Sequence, residues 1–188
     1  MDAPPFPAAA IDAARGAIKA YLRIEGTGED AAIDAAARTA LALGEAFTGT
    51  AWIAREWQAT LSRSGGWQRL PTAPVTAITS VAALALDGTA AILPLPAYAI
   101  DIDAQGGGWV RIAAAQPPAR IRVTFTAGTA PAWDGVAPPL AQGAVLLAAH
   151  LLESRGAASA PPAAVAALWR PWRRVQLCGG RRASCSIG

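Results

Sequence analysis

Residues 21–50 read YLRIEGTGEDAAIDAAARTALALGEAFTGT, the end of one helix, a tight acidic turn, a second long helix and an exit toward β structure. Gly26 and Gly28 supply the turn, and Thr27 with Asp30 has the spacing of a capping pair at a helix start. From Glu29 to Phe47 the residues Ile33, Ala37, Leu41, Gly44 and Phe47 recur at helical spacing, and Thr48-Gly49 closes the run. Such a helix is about 28 Å long at 1.5 Å per residue. Upstream, Ile11, Ala14, Ile18, Tyr21 and Leu22 form a matching stripe, so the chain opens on two paired helices.

Beyond Thr50 the period changes from 3.6 to 2. Ile53, Arg55, Trp57, Ala59 and Leu61 alternate with Trp52, Glu56, Gln58 and Thr60, the pattern of a half-buried strand. Ser64-Gly65-Gly66 turns the chain so that Trp67–Leu70 can pair back. Ile78–Leu86 predicts a strand ending in the Asp87-Gly88 hairpin signal. Tyr98, Ile100 and Ile102 alternate with Asp101 and Asp103, and Gly106-Gly107-Gly108 leads into Trp109–Ile112. In Arg120–Thr126 the residues Ile121, Val123 and Phe125 share one face. Short strands with turns between them argue an antiparallel sheet. Helix returns at Pro138-Pro139 and runs to about Arg155, ended by Gly156; a short helix from Pro161-Pro162 reaches Trp169, where Pro171 interferes.

The predicted fold class is therefore α+β: a small α-helical bundle with an antiparallel β subdomain inserted between the second and third helices. The expected divisions are an N-terminal helical pair over 1–50, the β subdomain over 51–137, C-terminal helices over 138–170 and a basic arm over 171–188. Leu140, Ala144, Leu147 and Leu151, with Val145, Ala148 and Leu152 beside them, make an apolar surface too wide for water. It belongs in a core or in a contact between subunits, and Leu140, Leu147 and Leu151 are the candidate subunit-interface residues.

Composition narrows the function classes. Of the 188 residues 49 are alanine, which covers little area, so a thin-striped Ala-rich helix completes its packing against a neighbour. The net charge of +3 is a property of one end: Arg170, Arg173, Arg174, Arg181 and Arg182 lie within residues 169–188 with no acid. The rest holds 11 basic against 13 acidic groups, a net of −2. A basic tail is an electrostatic handle for a partner. Trp169 and Trp172 lie among these arginines, and Trp and Arg are the types most enriched at interface hot spots, which favours an interface over packing onto their own domain. No basic n-region or long apolar run marks the N-terminus, and Leu140–Leu152 is too short to span a bilayer, so no membrane association is expected. Cys178 and Cys185 read as free thiols of a reducing cytoplasm.

No catalytic, metal or cofactor constellation emerges. His150 is the sole histidine and has neither a Ser–His–Asp nor a Cys–His set around it, so it reads as a packed helix residue. Asp101 and Asp103 share a strand face without further oxygen ligands and read as a solvated face. Glu25, Glu29, Asp30 and Asp34 surround a helix start, where the helix dipole favours acids. Gly106–Gly108 and Gly179-Gly180-Arg181-Arg182 lack the strand and helix of a phosphate loop.

Four segments carry a family resemblance. Lys19-Ala20-Tyr21-Leu22-Arg23-Ile24, Ala31–Thr50 with its aromatic-Thr-Gly exit, Ala144–Arg155 and Pro161–Trp172 together resemble the head–tail connector (adaptor) proteins of tailed bacteriophages and gene transfer agents. The likeness covers most of the chain in block order. It implies a non-enzymatic structural role: a homo-oligomeric ring, commonly of twelve copies, beneath the portal protein, which extends the DNA channel and offers a platform to a downstream tail or stopper protein. DNA would pass without sequence recognition. The implied location is the head–tail junction of a virion or phage-like particle assembled in the bacterial cytoplasm. In that setting Trp169, Arg170, Trp172, Arg173 and Arg174 are the expected portal interface, on an arm extending away from its own domain. The alternative function is a nucleic-acid-binding module that uses the Arg/Trp-rich tail on DNA, since basic residues interleaved with aromatics suit phosphate neutralisation and base stacking.

Overall fold

In a computed structural model, which describes residues 3–62, 64–113, 118–154 and 160–174, the first stripe forms helix α1 (Ala8–Leu22) and the second α2 (Asp30–Thr48). Ile11, Ala14 and Ile18 are buried against Ile33, Ala37 and Leu41, whereas Tyr21 points into solvent. Gly49 ends α2 in the left-handed conformation (φ 68°), a geometry that glycine adopts without a side-chain penalty.

The capping pair expected at Thr27 and Asp30 does not form. Asp30 is the first residue of α2 and neither side chain caps the helix. The Asp30 carboxylate is taken by α1 instead: Lys19 Nζ lies 2.8 Å from it and Arg15 Nε 3.8 Å. Arg15 also grips Asp34 at 2.8 Å and Asp12 at 2.8 Å. The hydrogen bond that Arg15 donates to Asp34 raises the guanidinium pKa, against a partial desolvation that lowers it. Asp30 and Asp34 of the acidic cluster thus form an ion-pair seam between the two helices.

The strand region forms two antiparallel sheets. One has four strands in the order β1 (Arg55–Ser62), β7 (Arg120–Ala127), β3 (Val75–Leu84), β4 (Ala90–Ile92). The other has three, β2 (Gln68–Arg69), β6 (Gly108–Ile112), β5 (Tyr98–Ile102). Trp67–Leu70 does not pair back on β1: Gln68 faces Val110 and Arg69 faces Trp109 of β6. The Asp87-Gly88 turn does join β3 to β4, with Ala82 opposite Ile92. Along β1, Arg55, Trp57 and Ala59 are buried and Glu56, Gln58 and Thr60 exposed, the alternation expected of a strand with one covered face.

Helix α3 (Pro138–Glu153) then packs on α1 and α2, and α4 (Ala163–Trp169) packs on α3. Helices α2 and α3 therefore flank the strand region, giving the α+β arrangement predicted above. The apolar core falls into two clusters. Ile11, Ile33, Leu41, Leu140 and Leu147 belong to the helical one, and Trp57, Val81, Val110, Val123 and Phe125 to the β one. Trp52, Ile53, Ala130 and Trp133 sit in the helical cluster although they adjoin the strands. Both crossings between the clusters are tied together: Ala54 N–H donates to Ala130 O at 2.8 Å, and Ala130 N–H to Trp52 O at 2.9 Å.

Candidate interaction surface

Helix α4 carries its apolar residues inward. Trp169 is 3% exposed, edge-on to Trp52 with ring centroids 5.4 Å apart, and 5.9 Å from Phe47. Its Nε1–H donates to Leu140 O at 3.2 Å. The expectation of Trp169 as an anchor reaching out of its own domain is therefore corrected. An indole is buried where it finds apolar cover and an acceptor for its N–H, and α2 and α3 supply both. The sequence signal for this was two helical glycines. A Cβ on Gly143 would fall 2.2 Å from Trp169 Nε1, and one on Gly44 would fall 2.0 Å from Trp52 Cη2.

A single 3-10 turn, Arg170–Trp172, follows α4. Trp172 is 43% exposed and Arg170, Arg173 and Arg174 are exposed. The chain then crosses the C-terminal end of α2: Arg173 stacks its guanidinium 5.3 Å from the Phe47 ring centre, and Arg174 N–H donates to Thr48 O at 2.8 Å. Cations are favoured at that end of a helix. Four of the five residues expected at the portal interface are thus brought together on the surface. Cys178, Gly179, Gly180, Arg181, Arg182 and Cys185 lie outside the described residues.

Of the residues expected at a subunit interface, Leu140 and Leu147 are each 2% exposed and face α1, α2 and α4 of their own chain. That expectation is corrected for these two, because the wide apolar face of α3 is consumed by its own bundle. Leu151, 37% exposed, remains at the surface.

Other surfaces stay apolar. Leu43, Phe47, Pro161, Pro162 and Trp169 line a groove of about 370 Å³ between α2, α3 and α4. At the β end, Leu86, Ile92, Leu95, Ile100 and Ile102 are all exposed. Between the two halves, a second groove of about 470 Å³ is lined by Phe6, Ala46, Trp57, Pro71 and Arg174. Its polar floor is closed on itself. Arg55 forms a bidentate pair with Glu45 at 2.7 and 2.9 Å, donates to Ile53 O and Pro4 O, and lies between the Phe6 and Trp57 rings at 4.3 and 4.4 Å.

Three solved structures share this fold over nearly the whole chain. A chain from the neck of an empty gene transfer agent (GTA) particle computed with C6 symmetry is 31% identical, with a TM-score of 0.75, over 96% of this chain and 100% of that one. A chain from the neck of a native GTA particle computed with C12 symmetry is 29% identical, with a TM-score of 0.74, over 96% and 100%. A third, from the virion of a native GTA particle, is 30% identical, with a TM-score of 0.71, over 95% and 98%. The protein belongs to the head–tail connector (adaptor) family of tailed bacteriophages and gene transfer agents. No protein-family model and no curated protein matches the chain.

In this adaptor the polar residues considered for chemistry have structural settings. His150 is half-buried on α3, its ring 3.5 Å from Ser154 Oγ. Asp103 is no solvated strand residue: it accepts Trp109 Nε1–H at 2.9 Å, Gly107 N–H at 2.7 Å and Gln105 N–H at 3.0 Å. The Trp109 bond, then the Gly107 bond, hold its pKa below the usual carboxylate value. It shapes the β5–β6 turn. Among the described residues no group of three or more His, Cys, Asp or Glu is placed to hold a metal ion. No helix there is long and apolar enough to cross a membrane.

Proposed function

We propose that the protein is a structural adaptor that forms a ring below the portal, extends the DNA channel and presents a platform to the next tail component. The observation that carries this reading is the likeness, over 96% of the chain, to a chain from a gene transfer agent neck. The reading assigns twelve copies to the ring. The C12 symmetry of one similar neck supports that number. Its functional divisions are the helical pair over 1–50, the β subdomain over 51–137, the closing helices over 138–170 and the arm over 171–188.

Within this reading the arm meets the portal through Trp172, Arg170, Arg173 and Arg174, and through the residues beyond them. An exposed tryptophan beside three arginines offers apolar area together with charge, the combination that concentrates binding energy in interfaces. Trp169 acts behind them, fixing the root of the arm in the bundle. The ion pairs that occupy Arg15, Lys19, Arg38 and Arg55 leave fewer free cations for phosphates on the folded part, which favours a connector over a nucleic-acid-binding module.

Cryo-microscopy of particles carrying the protein tests the proposal. A ring between portal and tail is the expected result; a monomer there, or a position elsewhere in the particle, rules it out.

A further inference from the structure

We propose that neighbouring adaptor subunits are joined by the β3–β4 hairpin of one copy, with Leu86 as a knob, seated in the α2–α3–α4 groove of the next. The inference rests on the ring reading above and names the contact that closes it. A ring needs heterologous contacts, in which each copy offers two different surfaces that fit each other.

The knob is unusual for a turn. The hairpin tip is held by Ala85 N–H donating to Thr89 O at 2.9 Å and Gly88 N–H to Ala85 O at 3.1 Å. This fixed turn presents Leu86 at 96% exposure, nearly the whole side chain in water. Beside it the Asp87 carboxylate is fixed by Thr89 N–H at 2.9 Å. Exposed large apolar side chains mark contact sites in soluble proteins when they gather in a patch, and on the same hairpin Ile92 is also 79% exposed.

The groove is the complement. Leu43, Phe47, Pro161, Pro162 and Trp169 make it apolar, with about 370 Å³ of room and no acidic residue in its lining. Leu43 is half exposed at its edge. Its rim is basic, with Arg173 over Phe47 and Arg170 following Trp169. Seating Leu86 buries the knob and places the Asp87 carboxylate toward those arginines, so apolar fit and charge agree.

Cysteine cross-linking tests the contact. The full chain carries Leu43→Cys and Leu86→Cys, with Cys178→Ser and Cys185→Ser to remove the native thiols, and is oxidised within assembled particles. A ladder of covalent multimers is expected on a denaturing gel, with each single-cysteine variant remaining monomeric. Dimers from one cysteine alone, or a cross-link to a different protein, overturn the contact. So does a ring seen by cryo-microscopy whose subunits give no link between the two introduced cysteines. As a second measure, Asp87→Arg added to the double-cysteine chain lowers the yield of that cross-link by about fivefold, the scale of a surface ion pair, and Arg173→Asp in the same chain restores it. A double variant as defective as the two changes combined counts against the pairing. Absence of any ring from the neck made by the unmodified protein overturns the connector reading itself; a ring without this link overturns only the contact.

Discussion

Trp169 rests on Gly143 so closely that the smallest side chain would intrude: a Cβ there would lie 2.2 Å from the indole nitrogen. Trp52 bears the same relation to Gly44 at 2.0 Å, and the two indoles meet edge to face. Two small helix positions thus let two large rings stack in the centre of the bundle. Alanine in place of either glycine gains helix propensity of up to about 1 kcal/mol yet forces a ring out of its seat. Overpacking of this kind costs roughly 1–3 kcal/mol. Gly44→Ala is expected to be the worse of the two, because Trp52 is fully buried and its Nε1–H is tied to Thr48 Oγ1 at 2.9 Å. Denaturant unfolding measures this; unchanged midpoints for both variants contradict the notch.

Arg55 and Glu45 link the two halves. Their side chains are 5% and 10% exposed, and Glu45 also accepts Trp52 N–H at 2.8 Å. Replacing Arg55 by Met leaves a desolvated carboxylate, and breaking one partner of such a buried pair costs about 3–5 kcal/mol. The double change Arg55→Met with Glu45→Leu is expected to cost less than the sum of the single changes. Strict additivity in a double-mutant cycle would show that the two groups are not coupled.

The pH dependence has a definite sign at the β5–β6 turn. The Asp103 pKa is depressed in the folded chain, so its stabilisation is present above the unfolded value near 3.8 and is lost as pH falls through the lower folded value. The turn therefore loosens only in acid below about pH 4. Carboxyl titration followed by nuclear magnetic resonance gives a midpoint for Asp103 below that of an unstructured aspartate. In Asp103→Asn the acid sensitivity of this turn disappears. A midpoint at or above the unstructured value refutes the assignment.

The helices and most strands were legible because their apolar residues keep a period: Ile33, Ala37 and Leu41 fall on one α2 face, and Ile121, Val123 and Phe125 on one β7 face. Non-local choices were not. Nothing in Trp67–Leu70 distinguishes β1 from β6 as a partner, since a two-residue strand has almost no pattern to match. Asp30 had a capping motif, but the cationic Lys19 and Arg15 of the other helix compete for the same carboxylate and win. Trp169 misled for a related reason. Tryptophan among arginines has interface composition, and only the glycines Gly44 and Gly143, far away in sequence, show that a seat for indoles exists inside the bundle.

That seat separates two truncations of the arm. Removing residues 169–188 takes away a buried tryptophan whose ring packs on Trp52 and Phe47. Deleting a large buried aromatic costs about 3–5 kcal/mol, so this shortened chain is expected to unfold readily or to aggregate. Ending the chain after Arg174 keeps that packing, the Arg173–Phe47 stack and the hydrogen bond from Arg174 N–H to Thr48 O. The shorter deletion should leave the circular dichroism spectrum and unfolding midpoint near those of the full protein. If the residues beyond Arg174 complete the portal contact, particles made with it stop at filled heads without tails. Trp172→Ala in the full chain tests the described part of the same surface. It removes an exposed ring, so stability changes by less than about 0.5 kcal/mol while joining falls. Joined particles in normal yield from both variants would show that the arm does not hold the portal.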